Sequence, residues 1–145
     1  MSLSNIFNVA GSGMNAQSMR LNTTASNIAN AETASSSSAH TYRGRHPVFA
    51  SVQAAMMAGE SGVISDDQSA VGVRVAGIVE SAAPLQARYE PNSPNADEEG
   101  YVYYPNVNIV EEMTNMISAS RSFQVNVEVM NSAKQMVQRV LTLGQ

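Results

Sequence analysis

The strongest constraint on this chain is a spacing of seven. Toward the C-terminus, Ile109, Met116, Phe123, Met130 and Val137 recur at every seventh residue. Met113, Val127 and Leu141 flank that line on one side; Ala119, Ala133 and Val140 flank it on the other. A sustained repeat of seven marks helices packed along one seam, because about 3.5 residues per turn keeps the same side chains facing a partner. Pro105 stops whatever precedes it, and Asn108 stands three residues before Glu111, as in a helix N-terminal capping box. Gly144 is the expected C-terminal stop. The predicted helix runs about 35 residues, or roughly 50 Å at about 1.5 Å per residue. A helix well beyond about 25 residues suggests a coiled coil or an assembly.

The N-terminus repeats the pattern more weakly. Phe7, Met14, Leu21 and Ile28 are also seven apart, with Leu3, Ala10, Ala25 and Ala31 beside them. This helix, expected over residues 3–31, is poor on its own. Fourteen of the chain's first 31 residues are Ser, Thr, Asn or Gln, and Gly11 and Gly13 interrupt the helix. Short polar side chains compete for backbone hydrogen bonds, and each Gly costs about 1 kcal/mol against Ala. Little local energy offsets nucleation. The segment is expected to be helical only when packed against a partner.

The surface expected around these seams is short of charge. Charged residues make up 14% of the 145, against roughly 25% in ordinary soluble domains, while hydrophobic residues at 43% are normal. Faces that would carry charge are therefore polar-neutral or covered. No charge pattern specifies a simple two-stranded zipper, and helices packed on several sides fit a tube or filament better. The formal net charge is -4, and the eight Lys and Arg residues form no stripe, which argues against a nucleic-acid partner. There is no cysteine, hence no disulfide or thiol chemistry. The first charged residue is Arg20, so no Sec signal is expected, and no apolar run reaches the roughly 18 residues of a membrane span.

The middle of the chain reads differently. VGVRVAGIVE alternates, with Val71, Val73, Val75 and Val79 on one face of an expected half-buried strand. ARYE and YVYY flank the turn-rich PNSPNADEEG, which predicts a hairpin. HPVFASVQAAMMAGE is open between strand and helix. Ser35–Ser38, with no apolar residue demanding burial, is expected to be a flexible joint. The expected class is α+β: long N- and C-terminal helices forming a coiled-coil-like core, with a small β-containing middle. The expected divisions are 1–32 for the N-terminal heptad helix, 33–105 for the loop and β-rich middle, and 106–145 for the C-terminal helix.

Catalytic and metal chemistry find little support. There is no G-x-S-x-G elbow, and His40 and His46 are the only histidines to serve as a base. Asn95, Asp97, Glu99 and Gly100 match positions 1, 3, 5 and 6 of a calcium loop, but Asn106 falls where a bidentate Glu is needed. A solvated acidic turn is the better reading. The two histidines lack a third ligand at useful spacing. No catalytic residue, cofactor or metal is expected. Met113, Met116, Met130 and Met136 are read as helix core, with thioether flexibility allowing the surface to repack against non-identical neighbours.

GSGMNAQSMRLNTTASNIANAET resembles the N-terminal motif of the bacterial flagellar axial proteins. GYVYYPNVNIVEEMTNMISASRSFQVNVEVMNSAKQMVQRVLTLGQ resembles their C-terminal motif. YRGRHPVF, YEPNSPNADEEGYVYYPNV and the final LTLGQ are similar to the short proximal-rod members. The motif positions carried over are Asn27, Asn30, Pro105, Asn106, Arg121 and Asn126. The chain departs at ETASSSSAHTY, where T-P-G-Y commonly follows the first motif, at Phe123 for Tyr, and at Asn108 for Asp.

The resemblance implies a structural subunit of the rod, exported unfolded through the flagellar type III apparatus, with both terminal helices lining the inner tube around the export channel. Implied partners are copies of itself, neighbouring proximal and distal rod proteins, and a membrane-ring or export-gate adaptor. The expected packing sets Phe7, Met14, Leu21 and Ile28 against Ile109, Met113, Met116, Phe123, Val127, Met130, Val137 and Leu141. Ala119, Asn126 and Ala133 are expected to admit neighbouring copies closely, and Arg121, isolated in this seam, to pair across a subunit boundary or with a carbonyl. The competing reading is a non-flagellar coiled-coil adaptor or export chaperone.

Overall fold

A computed structural model describes residues 3–53 and 71–143. Helix α1 spans Leu3–Asn30, strand β1 Arg45–Gln53, β2 Val71–Glu80, β3 Gln86–Tyr89, β4 Tyr101–Tyr104, and helix α2 Ile109–Leu143. The class is α+β with helical termini, as expected. α2 has 35 residues, and its start is capped as its sequence requires. Asn108 Oδ1 accepts from the amides of Val110 at 3.0 Å and Glu111 at 3.5 Å. α1 ends without a glycine: the Thr33 amide and hydroxyl both donate to the Asn30 carbonyl, at 3.1 and 2.8 Å. The expected stop at Gly144 and residues 54–60 of the ambiguous segment lie outside the described residues; the part of that segment up to Gln53 is strand.

The chain's contacts divide it into two compact units. The first comprises Met1–Met19, Val48–Gly77 and Ala119–Gln145. Among its described residues, the buried apolar ones are alanines: Ala10, Ala16, Ala119 and Ala133. Such small side chains let helix backbones come close. A Cβ added to Gly13 would lie 3.1 Å from Asn126 Oδ1, so α1 and α2 approach side by side here. Ser12 Oγ donates to the Val9 carbonyl at 2.8 Å and accepts from the Val73 amide at 3.1 Å, which fastens β2 to α1.

The second unit comprises Arg20–Pro47 and Ile78–Ser118. Val102, Asn27 and Pro105 are its largest fully buried side chains, with Thr23, Thr24, Thr41 and Glu112 also buried. The expected hairpin is present: β3 pairs antiparallel with β4 in the register Gln86↔Tyr104, Ala87↔Tyr103, Arg88↔Val102, Tyr89↔Tyr101. Residues directly opposite share a face. Arg88 accordingly lies 4.6 Å over the Tyr104 ring, and Tyr89 meets Tyr101 edge-on at 5.4 Å on the other face. Gly100 closes the turn at φ +85°, a left-handed value that a side chain would strain. Arg20 of α1 reaches Asn115 of α2 at 2.8 Å.

Two expectations are corrected. Ser35–Ser38 is a bonded turn, not a loose joint. Ser35 and Tyr103 exchange both backbone bonds, at 3.0 and 2.9 Å, so Ser35 bridges to β4. The Ser37 carbonyl accepts from the amides of His40 and Thr41 and from the Thr41 hydroxyl. Short hydroxyl residues stabilise such turns, a role apolar periodicity does not register. The alternating face of β2 is also less covered than expected. Val73 and Val79 are exposed, at 38% and 56%, and Val75 is half-buried. Among the described residues, no helix is long and apolar enough to cross a membrane.

Candidate assembly site

The residues carrying the seven-residue spacing occupy intermediate depth. Phe7, Met14, Leu21 and Ile28 on α1 are half-buried, as are Met116, Phe123, Val127, Met130 and Val137 on α2. Ile109, Met113 and Leu141 are exposed. The deepest positions are offset from this stripe. In the first unit they are Ala119 and Ala133, with half-buried Asn126 between them; in the second, Glu112 begins the same series. Ala119 and Ala133 are fully buried within the chain, so they serve its own helix contact rather than the approach of a neighbouring copy. The signal was available. Positions 112, 119, 126 and 133 alternate with 116, 123, 130 and 137 at offsets of four and three, the seam of a knobs-into-holes pair. Bulk drew attention to the larger members, although tight packing favours the smaller ones.

Arg121 is exposed on α2, so the premise of a cation isolated in the seam does not hold within the single chain. Asn126 and Asn30 bond back along their own helices, each donating to the carbonyl four residues earlier, Ser122 and Ser26, at 2.8 Å.

The remaining motif residues build a polar knot in the second unit. Asn27 is fully buried at the last turn of α1. Its Oδ1 accepts from the Tyr42 hydroxyl at 2.8 Å and the Arg45 amide at 2.9 Å, and its Nδ2 donates to the Arg45 carbonyl at 2.8 Å. Asn106, just after buried Pro105, accepts from the Gly44 amide at 2.8 Å. Its Nδ2 donates to the carbonyls of Ser81 at 3.2 Å and Ala83 at 2.8 Å. Arg43 reaches the same two carbonyls, at 3.3 and 3.4 Å. Tyr42 and the backbone of Gly44 and Arg45 were not singled out in advance: hydrogen bonds to the main chain leave no periodic trace in a sequence.

The acidic turn is committed to its own backbone. Asp97 Oδ1 accepts from the amides of Glu99 and Tyr101, and Oδ2 from the Tyr103 hydroxyl. The negative charge of Asp97 raises the Tyr103 phenol above its ordinary value, with desolvation and that hydrogen bond acting in the same direction. Asn106, the twelfth position of the loop count, is occupied in the knot. Among the described residues, no three His, Cys, Asp or Glu side chains are grouped to hold a metal ion.

What the molecule displays is apolar helix surface. Val110, Met113 and Ile117 are exposed on α2 in the second unit. Val125, Val129, Met136, Val140 and Leu141 are exposed on α2 in the first. Large apolar side chains exposed in number along one helix are normally covered.

Comparison with known proteins decides the family. Residues 7–34 match the family described as "Flagella basal body rod protein", and residues 98–143 match "Flagellar basal body rod FlgEFG protein C-terminal". Over all 145 residues and the whole of the relative, the chain is 48% identical to the flagellar basal-body rod protein FlgC of Salmonella typhimurium. The chain belongs to the FlgC family of flagellar basal-body rod proteins. The FlgC of Escherichia coli O157:H7 is likewise 48% identical over the full length of both chains. That of Borreliella burgdorferi is 38% identical, over all of this chain and 99% of the relative. Membership makes the chain a structural subunit of the flagellar basal-body rod. The two matched segments contain Asn27 and Asn106, the two carboxamides of the knot.

Proposed function

We propose that the chain polymerises, with copies of itself and with neighbouring proximal and distal rod proteins, into an axial shaft that transmits torque and encloses an export channel. The observation that carries the reading is the apolar, exposed surface of α2 in a full-length relative of rod proteins. At about 25 cal/mol per Å² of apolar area removed from water, several such side chains per subunit supply a large driving force for lateral packing. In this reading the half-buried stripe from Phe7 to Ile28 and that from Ile109 to Leu141 complete their burial in the assembly. Segments 1–32 and 106–145 form the inner tube and 33–105 the outer part. Arg121, exposed in the single chain, takes a partner across a subunit boundary. The N-terminal half of α1 gains its order on incorporation.

Export through the flagellar type III apparatus fits this design, since a segment with little stability of its own remains threadable. A membrane-ring or export-gate adaptor is the proposed neighbour at the base. The role is mechanical, without catalysis, cofactor or nucleic acid. The test is to look for the protein in purified hook–basal bodies. Its presence in stoichiometric amounts is expected, and its absence from intact rods would end the reading. A stable small oligomer of the purified protein with both helices fully ordered would favour a soluble adaptor instead.

A further inference from the structure

β1 and β2 pair in a two-stranded sheet, yet little in the strands themselves fixes their register. Residues 54–70 separate them, and tight-turn geometry sets register only across short loops. β2 contains Gly72 and Gly77 and exposes Val73, Ile78 and Val79. Glycine-containing strands without a strongly buried face are prone to slip, and a slip of one residue turns every side chain to the other face. The ion pair between Arg45 and Glu80, at 3.0 Å, has side chains about half exposed, 48% and 54%. Pairs of that exposure contribute little.

The open end of the sheet is held far more firmly. Asn27 pairs with both the amide and the carbonyl of Arg45, as a neighbouring strand would. Asn106 accepts from the adjacent Gly44 amide and donates to the carbonyls of Ser81 and Ala83. The Gly44 carbonyl accepts from the Ser81 amide at 2.7 Å. Asn106 thus ties the residue preceding β1 to the residues following β2, and Asn27 holds the adjacent first residue of β1 in place. A slip by one residue would break several of these bonds at once, each a loss.

We infer that Asn27 and Asn106 act as one clamp that sets the register of β1 against β2. They are positioning residues: they hold the ends of the strands. Because the two carboxamides grip neighbouring peptide units, loss of either loosens both.

The chain has no cysteine, which makes introduced cysteine pairs clean reporters. In the purified full chain, the pair Arg45→Cys/Glu80→Cys reports the native register and His46→Cys/Glu80→Cys the slipped one. With Asn27 and Asn106 intact, only the native pair is expected to cross-link. Adding Asn27→Ala or Asn106→Ala is expected to lower the native yield at least about threefold and to raise the slipped yield, since about 1 kcal/mol per lost bond is a factor of about five. Protection from hydrogen exchange at Gly44 and Arg45 should fall together in either variant, while the β3–β4 amides stay protected. Unchanged cross-linking in both variants, or loss of protection only at the directly bonded amide, overturns the inference. Should Asn27→Ala unfold the whole chain, seen as lost protection at β3–β4, the decision passes to Asn106→Ala and to Tyr42→Phe, which removes one donor to Asn27. Native-only cross-linking in those two variants would equally overturn it.

Discussion

The two units solve the problem of burial in opposite ways. The second closes around specified polar contacts. Asn27, Asn106 and Asp97 each satisfy two or more partners, and Val102 and Pro105 are fully buried. The first, among its described residues, closes around Ala10, Ala16, Ala119 and Ala133 and leaves Val9, Val125, Val129, Met136, Val140 and Leu141 at the surface. Burying an alanine contributes little hydrophobic energy but permits close approach. Hydrogen-bonded networks specify one arrangement, whereas unpartnered apolar surface specifies only that something must cover it. One chain thus contains a unit equipped to fold on its own contacts and another that, in the proposed reading, is completed by neighbours.

The largest effect that tests this contrast is a charge in the first unit. Phe123 is half-buried on α2. Phe123→Asp is expected to abolish swimming and incorporation into basal bodies, because a carboxylate placed in a closing apolar seam costs several kcal/mol. The β3–β4 hairpin of the second unit should retain its hydrogen-exchange protection. Normal swimming, or collapse of the hairpin as well, would erase the distinction between the units.

A smaller effect probes the second unit alone. At Gly100 the backbone is left-handed, and an added Cβ would lie 2.9 Å from Tyr89 Cε2 and 3.3 Å from Pro91 Cβ. Gly100→Ala is expected to cost about 2 kcal/mol. Urea unfolding followed by tyrosine fluorescence measures it, and swimming should persist because the seam is untouched. A loss within error would mean that the turn relaxes more freely than its contacts imply.

How much of this contrast could be read in advance follows from the kind of interaction involved. The helices were legible because a seven-residue repeat is a property of the chain itself, and Asn108 and Pro105 marked where α2 begins. The hairpin was legible because YVYY and ARYE bracket a turn-forming run. The seam's deepest positions were not, since an alanine such as Ala119 announces nothing until a second helix is placed beside it. The knot was invisible for a related reason. Asn27 and Asn106 are 79 positions apart by their numbers, and each binds main chain, which every residue offers. The motif likeness flagged these residues as worth noticing without saying what they hold. Ser35–Ser38 failed in the opposite direction: low apolarity looked like looseness, although its backbone bonds to Tyr103.

A third test should shift the first unit the other way. Gln17 Oε1 is buried and, among the described residues, accepts no hydrogen bond. Gln17→Met keeps the length of the side chain and removes the orphaned acceptor. The expected gain is about 1 kcal/mol, or roughly fivefold more hydrogen-exchange protection at the first turns of α1. Lower protection would show that this oxygen is used, and that the first unit is more fully specified than its alanines suggest.

The smallest effect lies at the edge of the second unit and is a matter of pH. Tyr103 donates to Asp97 and sits beside its charge, so its phenol ionises above the ordinary value of 10.0. A group whose folded pKa is raised stabilises the fold in its protonated form. That contribution is complete below about pH 10, the unfolded value, and is lost as pH rises through the folded one. Tyr103 is near solvent, so the effect on stability is slight, but ultraviolet titration of the five tyrosines should resolve one ionising late. Asp97→Asn keeps an acceptor for the Glu99 and Tyr101 amides and removes the charge. It should move that late step down toward the others without disturbing the turn. A titration curve identical in both proteins would mean that Asp97 and Tyr103 do not hold each other in solution, and that this corner of the second unit is looser than its contacts imply.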